Sequence, residues 1–149
     1  MKNKKLHLIS NDGIIVEAQY EEARVSELID KMLDSGEDEN DENDDIIEIP
    51  LLNVSGESLK VIVDFLKYYH KTKMNVIPRP IPSVSVGDFI SNEWYVNFID
   101  RMNNKEIFEI ILAANYMAIQ PIIDLGCAKI ASLIKGKTPE EVKEILSNS

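Results

Sequence analysis

The residue types best suited to nucleophilic, acid–base or metal chemistry are scarce in this chain: one cysteine, Cys127, and two histidines, His7 and His70, in 149 residues. One Cys and two widely separated His match no usual zinc-ligand spacing. Cys127 falls on a helical apolar stripe with Ile123, Ile130 and Ile134, where a thiol is expected to be a small buried hydrophobe. A thioester-forming cysteine needs an electropositive, partly exposed setting, and Lys129 and Lys135 fall on other faces of that helix. The six glycines are scattered, and none sits in a G-x-x-x-x-G-K or G-x-G-x-x-G phosphate loop. Neither histidine has a neighbourhood that marks a general base. The expectation is a protein without catalytic residues, metal ligands or cofactor.

The elements that would position any site read in order along the chain. Lys5–Ile9 and Ile14–Ala18 flank Asn11-Asp12-Gly13; Asp-Gly between apolar runs marks a hairpin, because glycine accepts positive φ. Tyr20 to Arg24 makes a short helical turn. Ser26 is an N-cap ahead of Leu28, Ile29, Met32 and Leu33, and Gly36 is the stop. Ile46–Ile49 is a strand closed by Pro50, and Ser55-Gly56 opens a helix with Leu59, Ile62, Val63, Leu66 and Tyr69 on one stripe. Pro78, Pro80 and Pro82 make residues 72–91 a surface loop. Helices follow: Asn92–Met102 with Trp94, Phe98 and Ile99; Lys105–Ala118 capped by Asn104; one starting near Pro121 and ending at Gly136; and one opened by Thr138-Pro139-Glu140-Glu141, a capping box with proline in the first turn. Three early strands followed by helices predict an α+β fold, a small sheet covered by a helical cluster.

Composition sets further bounds. The chain is 44% hydrophobic and 28% charged, with 16 basic and 26 acidic residues and a net charge of −10. That balance disfavours nucleic acid as a partner. Seven of the acids lie in Glu37–Asp45; outside it 16 bases face 19 acids. This run is expected to be a disordered, solvated loop. No apolar run reaches about 18 residues, so no membrane span is expected. Met1-Lys2-Asn3-Lys4-Lys5 lacks a signal peptide's apolar stretch, and a lone cysteine fits a reducing compartment; a cytoplasmic and nuclear location is expected. The last two helices carry apolar stripes that the following sequence does not cover, which argues for a protein partner.

Ile111-Leu112-Ala113-Ala114-Asn115-Tyr116 and Ile134-Lys135-Gly136-Lys137-Thr138-Pro139-Glu140-Glu141-Val142 resemble two hallmark segments of the Skp-type adaptors of cullin–RING ubiquitin ligases. Asp12-Gly13, Ile49-Pro50 through Asn53-Val54, and Glu93-Trp94 through Phe98 extend the likeness over nearly the whole chain. The resemblance implies a BTB/POZ fold, with a core over 1–118 and F-box-binding helices over 119–149. It implies a non-catalytic adaptor between a cullin scaffold and F-box substrate receptors in an SCF complex. It assigns Asn115 and Tyr116 to the cullin face, and Phe108, Ile111, Ile123, Cys127, Ile130, Val142 and Leu146 to the F-box face. Pro139 matches a proline that some unicellular members hydroxylate and glycosylate. Family members continue for roughly two more helices past the position of Ser149, so the F-box module is expected to be partial. Whether the free protein forms a homodimer stays open. The competing reading is another BTB-fold interaction or homo-oligomerisation module.

Overall fold

The computed structural model describes residues 5–35, 46–74, 77 and 86–147. The acidic run 37–45, the stop at Gly36 and the three loop prolines lie outside the described residues. Contacts group the chain into two compact units, one of Met1–Lys73 with Ala113–Gln120, the other of Met74–Leu112 with Pro121–Ser149. The amino-terminal turns of the long helix α5 (Asn104–Met117) group with the later helices, while its carboxy-terminal turn belongs to the first unit.

In the first unit, β1 (Lys5–Ile9) pairs antiparallel with β2 (Ile15–Gln19) and parallel with β3 (Ile47–Pro50), giving the order β2-β1-β3. Leu6 and Leu8 are fully buried while His7 between them is partly exposed, the alternation of a one-sided sheet. The hairpin closes over Ser10–Ile14 with Gly13 at φ +83°. Helices α1 (Tyr20–Ala23) and α2 (Glu27–Ser35) follow β2, and α3 (Gly56–Lys71) follows β3.

The turn and α3 are fastened together. The Asn11 amide donates to the Val54 carbonyl at 2.8 Å, and the Gly56 amide donates to Asp12 Oδ1 at 2.9 Å. The Ser10 hydroxyl donates to the same carboxylate. That hydroxyl, with the Asp12 and Gly56 amides and the charge of Lys60, holds the Asp12 carboxyl below its ordinary range against a smaller desolvation effect. Gly56 is needed for contact: a Cβ there would lie 2.4 Å from Ile14 Cγ1. Ser55 caps α3 by accepting from the Ser58 amide at 3.2 Å, and Leu59, Ile62, Val63, Phe65 and Leu66 bury its apolar side.

The second unit holds α4 (Glu93–Asp100), the first turns of α5, α6 (Gln120–Ile134, with Gln120 itself in the first unit) and α7 (Pro139–Ser147). The loop expected over 72–91 is not wholly irregular. Val86–Asp88 forms a 3-10 turn, with Val86 and Ile90 buried, because these two apolar residues have a core to enter. Trp94 stacks on Phe98 with ring centroids 5.2 Å apart, while Tyr95 and Ile99 are buried. Asn103, not Asn104, caps α5: its Oδ1 accepts from the Glu106 amide at 2.8 Å and Glu106 Oε1 accepts from the Asn103 amide at 2.9 Å. A capping box needs the acid three residues on, and Glu106 stands at that spacing from Asn103. No helix among the described residues is long and apolar enough to cross a membrane.

Candidate protein-interaction surfaces

α6 decides the first surface. It carries isoleucines all round, so period alone does not choose its inner face. Ile122, Leu125, Gly126, Ala128 and Ser132 are buried. Small residues on that side let backbones approach: a Cβ on Gly126 would meet Ile111 Cγ1 at 2.6 Å. The opposite stripe, which holds the positions assigned to the F-box face, is left incompletely covered. Ile123, Ile130 and Ile134 are only partly covered, and Cys127 between them is exposed. This corrects the expectation that Cys127 is a buried hydrophobe. Ile122 and Leu125 fill the buried side, and at its closest approach, Gly126 against Ile111, there is no room for a side chain.

Phe108 and Ile111 on α5 and Val142 on α7 are likewise half-buried. All six described positions assigned to the F-box face lie in the second unit and none is fully buried. Leu146 lies in α7, and its side chain is outside the described residues. Lys129 leaves this face to pair with Asp100 of α4 at 2.7 Å. α7 is opened by the expected capping box: Thr138 Oγ1 accepts from the Glu141 amide at 3.2 Å, and Glu141 Oε1 accepts from the Thr138 amide at 3.0 Å. The Thr138 amide, then its hydroxyl and the charge of Lys137, hold the Glu141 carboxyl below its ordinary range against desolvation. Pro139 is exposed.

The second surface lies at the carboxy-terminal end of α5, in the first unit. Asn115 is exposed and Tyr116 half-buried, with Ala113, Ala114 and Met117 buried beside them. The helix end is locked. The Ile119 amide donates to the Ala114 carbonyl at 2.9 Å and the Ala118 amide to the Asn115 carbonyl at 3.2 Å, a Schellman motif. Its left-handed position is Ala118, φ +56°, where glycine is usual. From α2, the Ser26 hydroxyl donates to the Met117 carbonyl at 2.5 Å and the Glu27 amide to the Ala118 carbonyl at 3.1 Å. Ser26 thus caps two helices, its oxygen also accepting from the Ile29 amide at 3.2 Å. The sequence showed Ser26 as the cap of α2 and carried no sign of its second partner, 91 residues away.

Among the described residues no group of three His, Cys, Asp or Glu side chains is placed to hold a metal ion, and no buried side-chain polar atom lacks a partner. What the fold presents are apolar positions left incompletely covered on helices, the makings of an α+β protein-interaction module. Residues 4–71 match the family model described as "Skp1 family, tetramerisation domain", and residues 120–147 match "Skp1 family, dimerisation domain". The "S-phase kinase-associated protein 1 homolog" of Tetrahymena thermophila is 36% identical, over 94% of this chain and 80% of that protein. The "E3 ubiquitin ligase complex SCF subunit sconC" of Emericella nidulans is 34% identical over 97% of this chain and 84% of that protein. "SKP1-like protein 12" of Arabidopsis thaliana is 36% identical over 96% and 83%. The chain belongs to the Skp1 family, and its sheet and helices are that family's POZ-type α+β fold.

Proposed function

We propose that this chain is a non-catalytic adaptor of an SCF-type E3 ubiquitin ligase, joining a cullin scaffold to F-box substrate receptors. Its contribution to ubiquitin transfer is proximity: one chain binds a substrate receptor and a scaffold in a single assembly. The observation that carries this reading is the outward stripe of α6, where Ile123 and Ile130 are incompletely covered and Cys127 is exposed. An F-box chain seated there removes that apolar area from water, worth about 25 cal/mol per Å2. Asn115 and Tyr116 form the cullin face in this reading. Pro139 is open to modification, and the working location is cytoplasmic and nuclear.

Cys127 reports directly on the F-box face. Thiol alkylation of the free chain is expected to proceed at the rate of an accessible cysteine and to slow at least tenfold when a recombinant F-box domain is added. Unchanged labelling at saturating F-box domain would remove Cys127 from the interface. At the other surface, Asn115→Lys with Tyr116→Lys places two charges where desolvation is required, an effect of several kcal/mol. Cullin binding is expected to fall at least tenfold, with circular dichroism and F-box binding intact. Undiminished cullin affinity would show that the scaffold binds elsewhere.

Homodimerisation of the free chain is a second reading, supported by the descriptions of the two matched models as dimerisation and tetramerisation domains. Sedimentation equilibrium at increasing concentration tests it, a mass that stays monomeric counting against it.

A further inference from the structure

α7 is a nine-residue helix with no fully buried residue among those whose burial is described, Pro139–Ile145. Helices this short are marginal without tertiary support. It leaves α6 through a tight turn in which Gly136 takes φ +73° and the Lys137 amide donates to the Ile134 carbonyl at 3.0 Å. Beside it lies a cleft of about 690 Å3 lined by Asn104, Ser132, Leu133, Lys137, Glu141, Glu144 and Ile145. The helix is thus not seated on a packed surface along its length.

Its far end meets a specific partner. The last four carbonyls of a helix have no acceptor role inside it, and for a helix ending at Ser147 the Ile145 carbonyl is one of them. Asn104 Nδ2 donates to that carbonyl at 3.0 Å, across 41 residues of sequence. A carbonyl only accepts, so the amide nitrogen of Asn104 must face it. Asn104 is the first residue of α5 and is released from capping, because Asn103 performs that task.

We propose that Asn104 is a positioning residue that latches α7, with Gly136 as the hinge at the other end. Latched, α7 holds Val142 in a fixed place on the F-box face; unlatched, it swings or frays about Gly136 and the face must be reassembled during binding. Pre-organisation of this kind raises affinity by removing an ordering cost from the bound state. The functional half of this inference rests on the F-box reading above, whereas the latch itself is a property of the free chain.

Asn104→Asp in the full chain separates the latch from general stability. Aspartate has nearly the same shape but no donor, and it sets a carboxylate against the Ile145 carbonyl. At the first position of α5 its charge favours the helix dipole, so the melting temperature is expected to hold or rise. In the free variant, amide exchange of residues 142–147 is expected to quicken at least fivefold, with residues 107–114 unchanged. Asn104→Gln, which keeps a donor, is expected to recover part of the protection. Affinity for a recombinant F-box domain is expected to fall about tenfold in the Asp variant. Unchanged exchange in α7, or a quickening spread equally over α5 and α6, would overturn the latch. Locally quickened exchange with full F-box affinity would overturn its role in docking. Failure of the unaltered chain to bind any F-box domain would count against the adaptor reading and leave the latch standing on the exchange data.

Discussion

Helices α3 and α7 both begin behind a hydroxyl side chain, Ser55 accepting from the Ser58 amide and Thr138 from the Glu141 amide, each at 3.2 Å. Beyond that first turn they differ. α3 runs 16 residues, buries six of them, and receives the hairpin's Asp12 carboxylate at its first amide. α7 runs nine residues, buries none that are described, and is tied across by the Asn104 amide. Equal capping therefore says where a helix starts and nothing about how firmly it is held. Firmness follows burial, because each core side chain contributes a few kcal/mol while a cap contributes about 1 kcal/mol. The stiff helix belongs to the scaffold, and the lightly held one stands on the face assigned to a partner.

The sharpest way to break that contrast is to make the same kind of deletion in both helices. Phe65→Ala in α3 removes a fully buried ring and is expected to lower stability by about 3–5 kcal/mol. Ile145→Ala in α7 removes a half-buried side chain and is expected to lower it by less than about 1 kcal/mol, since little apolar area is lost. Denaturant unfolding monitored by circular dichroism gives both values, and similar losses would make α7 ordinary core.

A smaller effect of opposite sign is expected at the end of α5. Ala118 holds φ +56°, a conformation that costs a residue with a Cβ roughly 1 kcal/mol. Ala118→Gly is expected to stabilise the protein by up to about 1 kcal/mol, less whatever freedom glycine adds to the unfolded chain. A raised melting temperature with unchanged cullin binding checks it; destabilisation would mean that the Ala118 methyl packs too well to lose.

Acid separates the two helices more finely. Asp12 and Glu141 both have folded pKa values below their ordinary ones. The stabilisation from each is complete above the unfolded-state value, near 4 for carboxylates, and is lost as pH falls through the lower folded value. As pH falls from the unfolded value toward the lower folded one, the α7 cap is therefore expected to weaken and open, and with little burial behind it the helix should lose amide protection before α3 does. Glu141→Gln should flatten the pH dependence of exchange in α7 and leave that of α3 alone. Loss of protection in both helices at the same pH would argue against independent tethering.

The least effect is expected from residues 37–45, a run of seven acids and two asparagines with no apolar side chain to offset the cost of ordering it. Replacing them by a short Gly/Ser linker should leave stability within about 0.6 kcal/mol, the cost of a twofold change in loop length. A loss of several kcal/mol in thermal unfolding would assign the segment an ordered role.

Local signals were sufficient for much of this protein. The Asp12-Gly13 turn, the caps at Ser26, Ser55 and Thr138, and the paired motifs at Ile111–Tyr116 and Ile134–Val142 each declare themselves within a few residues. Backbone preference and capping are set by near neighbours, so element order and family were legible. Asn103 and Asn104 show the limit of that legibility: the spacing to Glu106 marks Asn103 as the cap of α5, while nothing local shows that Asn104 reaches the Ile145 carbonyl.

What tertiary structure alone decided is which side of α6 turns inward. α6 has large apolar residues on two faces, and sequence period put Ile123, Cys127, Ile130 and Ile134 on one stripe, where the Cys127 thiol was expected to be buried. Close approach at Gly126 and Ile111 turned the other side inward and left Cys127 in solvent. The sharing of Ser26 between two helix ends and of Asp12 between a hairpin and α3 was decided in the same way. Periodicity counts how many faces are apolar, but burial depends on the shape and distance of the facing element. That distance is set by residues far away in the chain, beyond the reach of any local pattern.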